Sequence, residues 1–194
     1  VDELDESALL GRGAQFAASL VNSPFAAVLS VSPAERSAAV SILSVEGQSP
    51  ERTEERYSPL GKKGVLAEAF DSGLPQIAGT LKGRSLFDGL PATERCIVVP
   101  LGDGEEARGL LVVANAAREY SEADQNELSL FAAAWWRIVK AKRSHLTVML
   151  QLQRADIAME SMIETLSRMI EIHDPHTAGS AARVAALAVA IGRE

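Results

Sequence analysis

Residues 96–115 read Cys-Ile-Val-Val-Pro-Leu-Gly-Asp-Gly-Glu-Glu-Ala-Arg-Gly-Leu-Leu-Val-Val-Ala-Asn, and residues 120–124 read Tyr-Ser-Glu-Ala-Asp. Cys96 to Leu101 is an unbroken apolar run, and Ala107 to Ala114 is a second run that ends the strand pattern. Gly102-Asp103-Gly104 lies between them, and its Asp-Gly step is a hairpin signal because both residues tolerate the positive φ of a tight turn. Two buried antiparallel strands are therefore expected. Ser121 then offers a helix N-cap, with Glu122 and Asp124 in the first turn where they suit the helix dipole. After Ser121 neither Pro nor Gly occurs before Pro175. That predicts one helix of up to about fifty residues, several times the ordinary globular length.

Upstream of these runs the pattern alternates between helix and strand. Leu4, Leu9, Leu10, Phe16, Ala17, Leu20 and Val21 fall mostly at helical spacing, and Asn22-Ser23-Pro24 closes that run. Phe25 to Val31 and Ala38 to Val45 read as strands joined by the turn Ser32-Pro33-Ala34-Glu35-Arg36. Residues 46–60 are polar and read as a loop. A short helix over about 62–72, a brief strand at Pro75 to Ala78 and an irregular segment over 79–93 complete the expectation. The fold class is α+β: an antiparallel sheet flanked by helices, with a long C-terminal helix and a helical tail.

Alternating steps of three and four along the long helix give Leu128, Phe131, Trp135, Ile138, Lys142, His145, Met149, Leu152, Asp156, Met159, Ile163, Leu166, Ile170 and His173. Most of these are apolar, so the helix carries a stripe longer than one small domain can cover. A second copy of the chain is the expected partner, in a parallel homodimer. A helical hairpin folded back on its own domain is the competing arrangement. Lys142, His145 and Asp156 interrupt the seam, as polar residues that fix register do.

Composition narrows the function classes. The formal net charge is −7, with 20 acids and 13 bases over residues 1–140 and six of each beyond. Nucleic acid is not an expected partner, since phosphate binding needs clustered Lys and Arg. Cys96 is the one cysteine, so neither an internal disulfide nor a cysteine-rich zinc site is available. No apolar run is long enough to span a membrane. The N-terminus is acidic where a signal peptide is basic, and a cytoplasmic location is expected. Both ends read as cut from a longer protein. Gly11-Arg12-Gly13 falls inside the first helical pattern and is too short for a nucleotide loop.

The element order, with Cys96-Ile-Val-Val-Pro-Leu-Gly, Gly109-Leu-Leu-Val-Val-Ala-Asn, Tyr120-Ser-Glu-Ala-Asp and the apolar helix Leu128 to Ile138, resembles the GAF family of sensor domains. The resemblance covers roughly residues 5–140. It implies an antiparallel sheet with a small-molecule pocket on one face, beneath the 62–90 region. Phe70, Ile77, Leu86 and Phe87 would line that pocket and Arg84 would meet an anionic group; plain core packing and a solvated arginine are the competing readings. The signature of cyclic-nucleotide-binding members is missing, since Phe87 is followed directly by Asp88. Cys96 lies within a strand, where a bilin attachment is not expected. No His precedes His145, so a haem ligand is missing. No cofactor is expected, and any ligand is an unidentified small molecule.

Residues 162–192 resemble the opening of an HD-GYP domain, through Asp174, Pro175, Thr177, Gly179, Arg183, Val184 and Ala188. That resemblance implies metal-dependent phosphodiesterases acting on cyclic di-GMP. Ser180 stands at the family's first His, and the His-Asp pair and Gly-Tyr-Pro loop are not in the sequence. A serine hydroxyl is a poor replacement for imidazole on a transition metal. His173 and His176 flank Asp174-Pro175, yet two imidazoles in a turn lack the further ligands and outer partners that a metal site needs. No catalytic or metal-binding residue is therefore expected. The division is a GAF-like sensor over 1–140, a connecting and dimerising helix over 121–173, and the start of an HD-GYP-like domain over 174–194. The expected role is regulatory: a ligand alters the pose of the helix, which carries the change to an output domain. A ligand-free dimerisation module is the alternative.

Overall fold

The two apolar runs of residues 96–101 and 107–114 form the middle of a sheet. A computed structural model describes residues 2–53, 56–79, 81, 84–103, 106–173 and 180–191. In it β8 (Cys96–Asp103) and β9 (Glu106–Ala114) pair antiparallel, with Cys96 opposite Ala114 and Leu101 opposite Gly109. On the other side of β9 lies β1 (Phe25–Ser32), which also pairs with β2 (Ser37–Val45). β5 (Gln76–Ala78) borders β8. Two short strands, β3 (Glu51–Arg52) and β4 (Ser58–Pro59), pair with β2. The sheet order is β3-β2-β1-β9-β8-β5, with β4 added on β2. A separate two-stranded ladder joins β6 (Arg84–Ser85) to β7 (Ala92–Thr93). The polar 46–60 loop and the irregular 79–93 segment thus contain short strands. Two-residue ladders are too brief for any alternation to show in sequence.

Successive strand residues point to opposite faces, and here both faces are buried. Ala26, Val28, Ile97, Val99, Leu111 and Val113 enter one core, while Phe25, Ala27, Leu29, Cys96, Val98, Leu110 and Val112 enter the other. Burial on both faces explains why the runs are continuously apolar rather than alternating. β1 and β2 change register between Val28 and Leu29, which lets Ser41 bulge. The bulge keeps Val40 and Ala38 on the same face as Leu29 and Val31.

The first face is covered by α1 (Asp2–Leu20) and the early turns of α3 (Glu122–His173). Leu10, Ala14, Ala17 and Val21 meet Leu128, Ala132, Trp135, Trp136 and Val139 there. The helices come close because Gly13 faces the Trp135 indole: a Cβ on Gly13 would lie 2.1 Å from the ring. Leu128 and Trp135 are 0% and 4% exposed. This corrects the expected pairing seam. Those two side chains are enclosed by their own domain and have no surface left for a second chain. Phe131 is part-buried, packed on this core, stacked against Trp135 and tilted against Phe16, whereas Ile138 is exposed.

The second face is covered by α2 (Val65–Ser72) together with Leu60, Phe87 and Leu90. α2 ends at Gly73, whose left-handed φ of 64° returns its N–H to the Ala69 carbonyl.

The chain divides into two units, residues 1–143 and 144–194. In the second unit α3 continues to His173, and α4 spans Ser180–Ile191. Met149, Leu152, Met159, Ile163 and Leu166 are all more than half exposed, as are Val148, Met162 and Met169. The residues 174–179 that carry much of the HD-GYP resemblance lie outside the described residues.

Candidate ligand cleft and the joint to the exit helix

The face of the sheet beneath α2 carries small residues, Ala27, Ala38 and Ala114, with Ala69 of the helix above them. At its rim a cleft of about 250 Å³ opens between the Pro59–Gly61 turn, Lys63, the first turn of α2, and Leu81, Leu86 and Phe87. Its walls are mostly apolar. Gly64 caps α2 with φ 115° and supplies no side-chain bond to the first turn. Gly61 is likewise left-handed, at φ 54°. Both glycines let the chain turn tightly into the helix where a β-carbon would be strained. The uncapped first-turn amides carry the positive end of the helix dipole, and Lys63 stands exposed beside them. An apolar slot with one positive lip suits a small molecule that has an apolar body and an anionic end.

Of the expected pocket residues, Leu86 and Phe87 line this cleft. Phe70 packs against the same core but is not among the residues lining the opening, and the Arg36 guanidinium sits 5.6 Å from its ring centre. Arg36 also forms a forked ion pair with Asp71, one arm at 2.7 Å, tying the end of α2 to the β1–β2 turn. Ile77 is a correction. It sits opposite Ile97 and packs with the α1–α3 core on the other face of the sheet. A strand of three residues gave no alternation from which to read its side. The Arg84 backbone lies in β6, but its side chain is outside the described residues. Leu66, Leu81 and Lys63 were not expected at a site. The Gly61-Lys-Lys-Gly64 spacing before an apolar helix was the available signal.

A larger groove, of about 520 Å³, runs past the end of α1 and the ends of β1, β2 and β9. Several of its polar groups are already used. Ser23 Oγ meets the Tyr120 hydroxyl at 2.7 Å, and Ser19 Oγ donates to the Phe16 carbonyl. The Asn115 amide donates to the Ala92 carbonyl at 2.8 Å and accepts the Glu94 N–H at 2.8 Å. We therefore place the candidate site at the smaller, apolar cleft.

The step from β9 into α3 is held by a dense set of bonds. Asn115 is left-handed, with φ 65°, and its side chain fixes the segment entering β8. Arg95 Nη1 donates to the Ala116 and Ala117 carbonyls. The buried Tyr120 hydroxyl accepts the Ala116 N–H at 3.1 Å. Burial pushes its ionisation above the ordinary tyrosine value. Ser121 and Asp124 bond reciprocally: Asp124 accepts the Ser121 N–H at 2.8 Å, and Ser121 Oγ accepts the Asp124 N–H at 3.3 Å. This is a capping box with Asp at its third position. Arg118 grips the same carboxylate with two bonds of 2.6 Å. The Arg118 bonds, aided by those from Ser121, hold Asp124 well below the usual carboxylate range. Finally Gln125 of α3 donates to the Pro75 carbonyl at 2.6 Å, so the exit helix is tied to the strap between α2 and β5.

Cys96 is fully buried, and burial pushes its thiol up to about 12. It is protonated at neutral pH and has no open approach for a reagent or chromophore. Among the described residues no group of three His, Cys, Asp or Glu side chains is placed to hold a metal, and no helix is long and apolar enough to cross a membrane.

No curated protein matches the chain in sequence. Among solved structures, the second GAF domain of DevS from Mycobacterium smegmatis superposes with a TM-score of 0.58 at 19% identity, covering 74% of this chain and 99% of that one. The blue-light absorbing form of the PixJ GAF domain from Thermosynechococcus elongatus gives 0.57 at 17% identity, over 79% and 95%. A type II free methionine-R-sulfoxide reductase from Thermoplasma acidophilum gives 0.55 at 15% identity, over 73% and 96%. At such identities these likenesses establish the fold alone. The GAF domain family model, however, matches residues 3–140, and the chain belongs to the GAF domain family.

Proposed function

We propose that this chain is a sensory module in which a small apolar anion, held in the cleft beside α2, changes the pose of α3. The observation that carries the proposal is the Gln125–Pro75 hydrogen bond. It links the exit helix to the strap that leaves the cleft's own helix, so a ligand that shifts α2 pulls on the start of α3. Asn115, Arg95 and Tyr120 make the rest of the joint stiff. Coupling of this kind requires the ligand to bind two arrangements with different affinity. The output fits an HD-GYP-like domain opening at residue 174, with Ser180 arguing for a partner-binding rather than a hydrolytic role in that portion. The exposed apolar stripe of α3 supports a homodimer as the transmitting form.

Native mass spectrometry of freshly purified protein tests the reading. A dimer carrying a releasable adduct of a few hundred daltons per chain supports it, and a Phe87→Ala variant should lose the adduct. Protein that never carries or accepts an adduct, even with a panel of small aryl and alkyl carboxylates, would leave the ligand-free dimerisation module as the better account.

A further inference from the structure

We infer that the polar groove at the end of α1 is a second binding site, and that it takes a small hydroxylated amine in its ammonium form. The groove holds about 520 Å³ and shares no lining residue with the apolar cleft beside α2. Its most telling member is Ser44 of β2. Ser44 lies opposite Ala26 and shares the α1 face of the sheet with Ile42. It is only 3% exposed. The other buried polar side chains among the described residues are Ser23, Ser37, Ser41, Thr93 and Asp124, and each hydrogen-bonds within the chain. The Ser44 hydroxyl does not; it opens onto the groove instead. A buried hydroxyl left without a partner is costly, so its partner belongs in the groove.

The rest of the lining says what that partner is. Gln15, Ser19 and Asn22 form one stripe of α1 on the groove's wall. The Gln15 and Asn22 amides are exposed and make no bond among the described residues, so each offers a donor and an acceptor. A body carrying several hydroxyls matches such a wall, and Pro24, Val45 and Ala117 meet its carbon–hydrogen faces. Glu46 is the one charged residue among the described lining residues. Its N–H donates to the Pro24 carbonyl at 2.7 Å, which fixes it at the rim. α1 ends here with no basic side chain in its last turn, so the negative end of its dipole is unopposed. Arg95 reaches the edge through the bond of its Nη1 to the Ala117 carbonyl, and Glu94 stands 3.6 Å from its other arm. Carboxylate and helix end together favour a cation and repel an anion.

Amide NMR of the full chain, titrated at about pH 6 with glucosamine, glucose and glucuronate, tests the inference. The three probes share a ring of hydroxyls and differ in charge, the amine being protonated at that pH. Glucosamine should shift the amides of Asn22, Ser44 and Gly47 saturably. It should bind about threefold more tightly than glucose, as an exposed ion pair allows, and about tenfold more tightly than glucuronate. Glu46→Gln should abolish the preference for glucosamine over glucose. Ser44→Ala should weaken both sugars alike, by about fivefold; it removes an unpaired hydroxyl, so the fold is not at risk. Glucuronate binding as tightly as glucosamine would overturn the ligand class. Saturable shifts confined to Gly61, Gly64 and Leu66 would move the binding to the cleft beside α2 and overturn the second site. Absence of saturable shifts with all three probes would leave the Ser44 hydroxyl to water and overturn the inference outright.

Discussion

In an exposed helix, Gly→Ala gains about 1 kcal/mol. At Gly13 the new methyl would instead meet the Trp135 ring at 2.1 Å, and overpacking of that kind costs roughly 1–3 kcal/mol or more. Gly13→Ala should therefore lower the urea midpoint, and Trp135→Leu in the same chain should recover much of the loss; simple additivity of the two changes would contradict the contact. Tyr120→Phe keeps the ring but strands Ser23 Oγ and the Ala116 N–H in the core. The expected loss is about 1–3 kcal/mol, read as a lower midpoint at an unchanged denaturant slope. Of these roles, sequence showed the position of Tyr120 in the step from strand to helix, but not its hydroxyl partners, which lie 97 residues away for Ser23. Gly13 looked only like a weak helix residue, because the partner that demands it sits far down the chain in α3. The apolar setting of Cys96 was readable directly, since it opens the apolar run Cys96 to Leu101 that reads as a buried strand.

The helices and strands were legible to the degree that their periodicity had room to repeat. β8, β9, β1 and β2 are eight or nine residues each, and α3 announced itself by lacking Pro and Gly. β5 spans three residues and β3, β4, β6 and β7 span two, so β5 was readable as a brief strand but not the side of Ile77, and the two-residue strands were not readable at all. The candidate pocket suffered for this reason: Leu86 and Phe87 were placed and Lys63 and Leu66 were not. The cap of α3 was legible as Ser121 with acids after it, but not the Arg118 fork that makes it strong. That fork gives a pH prediction. Asp124 has a folded value depressed below the unfolded carboxylate value of about 4. Its stabilising contribution is present above pH 4 and is lost as pH falls through the depressed folded value. Asp124→Asn should cost about 1 kcal/mol at neutral pH, as loss of a cap does. The difference from the parent should shrink steadily below pH 4 in parallel acid titrations of the thermal midpoint. A constant difference down to pH 2 would mean that the neutral amide fails for a steric rather than an ionic reason.

Both cores lie between Leu10 and Val139, whereas the described large apolar residues of 144–169 are exposed. The two parts should therefore draw their stability from different sources. Burial within one chain stabilises the α/β unit irrespective of concentration, while most of the stability of a protein helix comes from covering its apolar face rather than from intrinsic propensity. If a second copy supplies that cover, helix content beyond Arg143 must depend on protein concentration, as stability linked to association does. On dilution through the dissociation range, far-ultraviolet ellipticity should fall while the near-ultraviolet signal of Trp135 and Trp136 stays fixed. A chain cut after Arg143 should keep that aromatic signal and a cooperative unfolding transition. It should also lose the concentration-dependent step altogether. Loss of the aromatic signal on truncation would mean that the sheet and its helices need the distal segment to fold. An ellipticity indifferent to dilution would mean that residues 144–173 are covered by their own chain.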